Sequence, residues 1–118
     1  MTEITAIVRR NRAAETKLEL NRCGCSGYTA LSVLGRGRQR GVRTATGSAS
    51  GGFGFLPRVM FSLVVDDAQT PEIIEAVIRA NQTGEFGDGR IFIRKLESTF
   101  RISESCSAEP AQRAELPS

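Results

Sequence analysis

Short apolar runs alternate with polar, glycine-marked breaks along this chain, and the spacing of the apolar positions changes from run to run. Residues 4–8 carry Ile4, Ala6, Ile7 and Val8 with little polar interruption, which predicts a short strand. Ala13–Arg22 holds Ala13, Ala14, Leu18 and several other good helix formers, and predicts a helix. Gly24 and Gly27 then punctuate the chain. Residues 28–34 predict a second strand, with Leu31 and Val33 making its better apolar face. The strongest strand pattern is 59–65, ended by Asp66 and Asp67. Thr70 is expected to cap a second helix whose first residue is Pro71, with Glu72 well placed near its positive end. Ile73, Ile74, Val77 and Ile78 repeat at helical spacing, and Thr83-Gly84 is expected to close that helix. Gly87-Asp88-Gly89 predicts a tight turn, and 90–93 a fourth strand. Residues 100–102 are expected to extend pairing at a sheet edge.

The stretch 35–54 is of another kind. Gly35, Gly37, Gly41, Gly47, Gly51, Gly52 and Gly54 are seven of the chain's 12 glycines, and Ser and Thr fill much of the rest. Such a segment buries too little surface to offset the entropy of ordering it, so a long mobile loop is expected. Loops of that length inside compact domains are usually functional. From Ser103 onward the composition is that of a loose tail.

Strand, helix, strand, loop, strand, helix, strand is a doubled βαβ pattern. It predicts an α+β, ferredoxin-like domain: a four-stranded antiparallel sheet with both helices on one face. Apolar residues point to both sides of 59–65, so the other face should also be covered, most simply by copies of itself.

Composition narrows the function. A length of 118 residues fits one domain, and 40% hydrophobic with 25% charged residues predicts a packed core. The net charge of +3 is too mild to argue for nucleic acid. The positive charge is clustered, however: Arg36, Arg38, Arg40 and Arg43 form one group and Arg9, Arg10 and Arg12 another. Clusters of this kind attract phosphates and carboxylates. With no histidine there is no Ser–His or Cys–His pairing, the acids are scattered, and no catalytic constellation is present. Cys23 and Cys25 are too close for an easy structural disulfide, and a zinc site would need a carboxylate or a second chain. They read as ordinary thiols near a helix end, and Cys106 as a tail residue. Residues 1–12 lack the apolar core of a signal peptide, and no window is long and apolar enough for membrane insertion. A cytoplasmic protein is expected.

Two glycine motifs carry the candidate chemistry. Gly35-Arg36-Gly37-Arg38-Gln39-Arg40-Gly41 lacks the ending of a P-loop, yet its glycines and arginines suit close approach to phosphate oxygens. The turn Thr83-Gly84-Glu85-Phe86-Gly87-Asp88-Gly89-Arg90 offers backbone N–H groups with an arginine at its edge.

These blocks, with Phe55-Leu56-Pro57-Arg58 between them, Ile91-Phe92 after them and then Arg101, stand in the order and spacing of the PII signalling family, which the chain resembles over about residues 4–102. The resemblance implies a homotrimer, with ATP, ADP or AMP bound in clefts between subunits. It implies a domain over 1–103 with a target-contacting T-loop at 35–57 and a B-loop at 83–90, followed by a flexible tail at 104–118. The implied nucleotide-binding set is Thr29, Gly35, Gly37, Arg38, Gln39, Val64, Gly87, Asp88, Gly89, Arg90 and Arg101, the last from the neighbouring subunit. The implied effector set is Gly37, Gln39, Gly41 and Arg58, with Gln39 serving magnesium held with ATP. An unidentified protein target would be met through the T-loop, and no catalysis is implied.

The chain departs from the family pattern at several points. Gly51 stands where the family has its modified tyrosine, Ala49 at the phosphorylated serine, and Ser103 at a second basic residue. Lysine is replaced by arginine at Arg58 and Arg90, and Arg9-Arg10 replaces Lys-Pro. The run 35–41 looks like PII-like proteins associated with nitrogenase, whose effector would be 2-oxoglutarate. A thinned phosphate clamp also suits a bicarbonate sensor tied to carboxysomes or bicarbonate transport, with ADP or AMP preferred.

Overall fold

The structure, a computed structural model, describes residues 1–36, 55–85 and 87–103. Among the described residues four strands and two α-helices appear in the expected order: β1 (Thr2–Arg9), α1 (Ala13–Arg22), β2 (Thr29–Gly35), β3 (Leu56–Val65), α2 (Thr70–Asn81) and β4 (Gly89–Lys95). The strands form one sheet in the order β2-β3-β1-β4, with every neighbouring pair antiparallel. This is the ferredoxin-like arrangement.

Alternation along the strands decides the two faces. Ile4, Ala6 and Val8 of β1 and Phe61, Leu63 and Val65 of β3 are buried, and they pack in one core with Leu20 of α1 and Ile73 and Val77 of α2. Phe61 anchors that core, fully buried and edge-on to Tyr28 at 5.5 Å between ring centres. The opposite face is bare in the single chain. Leu31, Val64 and Phe92 stand on it and are each 40% exposed or more. Leu31 and Val33, the better apolar face of β2 by sequence, therefore point away from both helices.

Several boundaries differ from expectation. Leu56 and Pro57 belong to β3 and Gly35 to β2, so the loop expected over 35–57 begins and ends inside strands. Proline is tolerated there because β1 stops at Arg9, opposite Arg58, leaving Pro57 with β2 as its one neighbour. Thr70 does not cap α2: it lies inside the helix, and its hydroxyl donates to the Asp66 carbonyl at 3.2 Å. Nor does Thr83-Gly84 close that helix, which ends at Asn81 with Gln82 donating to Ile78 O at 2.8 Å. Residues 100–102 form no strand, and Phe100 and Ile102 are exposed.

α1 ends differently. Gly24 takes φ +78°, its N–H donates to Asn21 O at 2.9 Å, and Cys25 N–H donates to Leu20 O at 2.9 Å. That is a Schellman cap, and Leu20 and Cys25 are both buried in the core beside it. Burial pushes the Cys25 thiol above its ordinary value, so it stays protonated and packs as a small apolar group. The reading of Cys23 and Cys25 as thiols at a helix end holds, and both are free.

Candidate functional site

The site builds up from the end of the sheet where β1 stops and β3 begins. Arg9 and Arg58 face each other there in the strand register, both on the bare face. Beside them the chain returns from α2 through the turn 83–89. Gly84 and Gly87 adopt φ +84° and +87°, which glycine reaches without strain.

Asp88 ties the turn to itself. Its carboxylate accepts from Thr83 N–H at 2.9 Å, from Gly84 N–H at 3.0 Å and from the Thr83 hydroxyl. The Thr83 hydroxyl, these amides and Arg9 together hold the Asp88 carboxyl below its usual range. The first two amides of the turn, expected to be open to a ligand, are therefore occupied by an internal carboxylate.

Two guanidiniums tie the turn to the sheet. Arg9 Nε donates to Gly87 O at 2.9 Å, and Arg58 Nη1 donates to the same oxygen at 2.6 Å. Arg9 also reaches Asp88 at 3.6 Å. Arg58 is only 7% exposed, and burial first, then Arg9, pull its guanidinium below its usual value. Gly35 closes the arrangement from β2: a Cβ at that position would lie 3.2 Å from Arg58 Cγ. Gly89 is held tighter still, at φ +121° with Ile7 O only 2.3 Å from where its Cβ would be. An apolar groove of about 360 Å³ between α2 and β4 opens beside the turn, with Asp88, Gly89 and Arg90 at its polar end.

The structure thus brings together Gly35, Arg58, Gly87, Asp88 and Gly89. Arg90 follows Gly89 in β4 and is exposed, Thr29 and Val64 stand apart on the sheet and are exposed, and Arg101 follows β4 and is half-buried. Register places Thr29, Gly35, Arg58, Val64 and Arg90 all on the face away from the helices. Thr29 lies on one edge strand and Arg90 on the other, about 14 Å apart across three strand spacings. Gly37, Arg38, Gln39 and Gly41 lie outside the described residues, as do Phe86, Cys106 and the tail 104–118. Arg9 is the addition that sequence reasoning missed. In sequence it clusters with Arg10 and Arg12, and only the strand register sets it beside Arg58. Among the described residues no group of three or more Cys, Asp or Glu is placed to hold a metal ion, and no helix is long and apolar enough to cross a membrane.

Fold and turn together define a class: a ferredoxin-like domain presenting a cation-backed glycine turn at one end of its sheet. The family model for nitrogen regulatory protein P-II matches residues 1–105, and the chain belongs to that family, whose members are regulatory signalling proteins. It is 38% identical over 102 residues to a nitrogen regulatory protein P-II of Rhodospirillum rubrum, covering 86% of this chain and 91% of that one. It is 35% identical over 112 residues to the nitrogen fixation nifHD1 region GlnB-like protein 2 of Methanosarcina barkeri, with the same coverage of 86% and 91%. A similar match, 35% over 111 residues, joins it to nitrogen regulatory protein P-II 2 of Methanothermobacter thermautotrophicus, over 94% and 96% of the two chains.

Proposed function

We propose that this chain is a trimeric regulator that binds adenine nucleotide between subunits and passes the result to a protein target through the T-loop expected at 35–57. The observation that carries the reading is the division of the candidate residues. The glycine turn and Arg90 sit at one end and edge of the bare face, and Thr29 sits on the opposite edge. A cleft lined by both forms only where two copies meet, and burying the bare face against other copies would create such clefts. Gly87 and Gly89 keep the backbone clear for phosphate oxygens, and Arg90 and Arg101 supply fixed cations. The small anionic effector falls to Arg58 and the loop base, with Gln39 offering its amide oxygen to magnesium carried by ATP. Asp88 is a poor ligand for that metal, since its carboxylate is already engaged by Thr83, Gly84 and Arg9.

2-Oxoglutarate is favoured over bicarbonate, because relatives at this level of identity include proteins named for nitrogen fixation regions. Calorimetric titration of ATP, ADP and AMP, each with and without 2-oxoglutarate or bicarbonate, tests the reading. Binding of 2-oxoglutarate only in the presence of Mg-ATP is the expected result. Bicarbonate coupled to ADP or AMP would move the protein to inorganic-carbon control, and no binding of any nucleotide would overturn the reading.

A further inference from the structure

A trans peptide is planar, with its carbonyl and its N–H pointing in opposite directions. The peptide joining Gly87 to Asp88 is therefore aimed by whatever holds its oxygen. Two guanidiniums do so, one from β1 and one from β3: Arg9 Nε at 2.9 Å and Arg58 Nη1 at 2.6 Å. The N–H of Asp88, at the other end of that peptide, consequently points away from both arginines. The packing is close, because a Cβ on Gly87 would stand 3.1 Å from Arg58 Nη2 and 3.5 Å from Arg9 Nη2. One cation would satisfy the carbonyl. Bringing a second beside the largely buried Arg58 sets like charges against each other, which is unfavourable unless the geometry it enforces is needed. A single donor also leaves the peptide free to swing about one bond, whereas donors from two strands fix its direction.

We propose that Arg9 is a positioning residue for nucleotide phosphate: with Arg58 it locks the Gly87–Asp88 peptide so that the Asp88 N–H faces an incoming phosphate oxygen. The inference rests on the nucleotide reading given above. Arg9 does not touch the phosphate in this scheme. It acts through Gly87 O, and its contact with Asp88 secures the same turn from the side-chain direction.

The test is ADP titration of the wild-type chain, R9M and R9K, with amide NMR spectra of each. R9M removes both donors at similar length and should weaken ADP about tenfold. R9K can donate to Gly87 O but cannot span to Asp88 as a guanidinium fork does, so it should fall between, about threefold weaker. The Asp88 amide resonance should move in R9M while those of Ile4 and Phe61 in the core stay fixed, a pattern that general loss of stability would not produce. Should R9M fail to fold, R9K carries the test alone. Equal ADP affinity in wild type and variant, with an unmoved Asp88 amide, overturns the role of Arg9 and leaves the nucleotide reading intact. A wild-type chain that binds neither ADP nor ATP overturns the nucleotide reading and this inference with it.

Discussion

The two helices leave their last turns in opposite ways. α1 seals itself: Gly24 turns the chain, backbone amides cap the final carbonyls, and Cys25 drops into the core that also holds Leu20. No ionised side chain is needed for the cap. α2 releases the chain at Gln82 into a turn whose order comes from charge: Asp88 on the Thr83 and Gly84 amides, then Arg9 and Arg58 on Gly87 O. The first exit shows that a glycine turn can be held at no electrostatic cost. The second gathers two cations and a carboxylate around one turn, a costlier arrangement that the nucleotide reading proposed above would account for.

That contrast can be broken at its glycines first. Gly89→Ala should be the most damaging change, because its Cβ would collide with Ile7 O and φ +121° excludes it. A loss of about 3 kcal/mol or more is expected, read as a lowered denaturant midpoint. Asp88→Asn comes next. It removes the carboxylate that accepts from Thr83 and Gly84, so stability should fall by about 1 kcal/mol and ADP affinity about tenfold by calorimetry. Gly24→Ala should cost about 1 kcal/mol from its left-handed φ alone, since nothing lies within 4 Å of the added Cβ, and should leave ADP affinity untouched. An equal effect of Gly24→Ala and Asp88→Asn on ADP would erase the distinction between the two exits. The smallest effect is that of pH. The Asp88 carboxyl is held below its ordinary value, so its stabilisation is complete above about pH 4 and fades as pH falls through the lowered value. The Thr83 and Gly84 amide resonances should follow that titration, while the Gly24 amide stays still.

Periodicity placed β1, β3 and α2, which bury an apolar alternation or stripe, whereas α1 was legible from its helix formers and β2 and β4, which bury no residue in the single chain, only from short apolar runs between glycine breaks. Ile73 and Val77 fall in the core at helical spacing, and Ile4, Ala6 and Val8 fall there at strand spacing. Thr70 looked like a cap by residue type, but Asp66 lies one turn before it and takes its hydroxyl. Thr2 and Thr16 are buried despite their polarity, because distant partners receive them: Asp67 for Thr2 and Asn81 for Thr16. The glycine turn was legible as a motif, whereas its backing was not. Arg9 and Arg58 are 49 positions apart in sequence, and only the antiparallel register sets them side by side.

The placement of Thr29 and Arg90 on opposite edges of the sheet has a genetic reading. In a closed ring each copy would lend its β2 edge to one neighbour and its β4 edge to the other. If the proposed inter-subunit sites use both edges, a copy damaged at Thr29 and a copy damaged at Arg90 would each fail alone. Expressed together, they would regain intact sites wherever the sound β2 edge of one meets the sound β4 edge of the other. A copy damaged at both would spoil two junctions of every ring it enters, and so act as a dominant poison in a cell that also makes the normal chain.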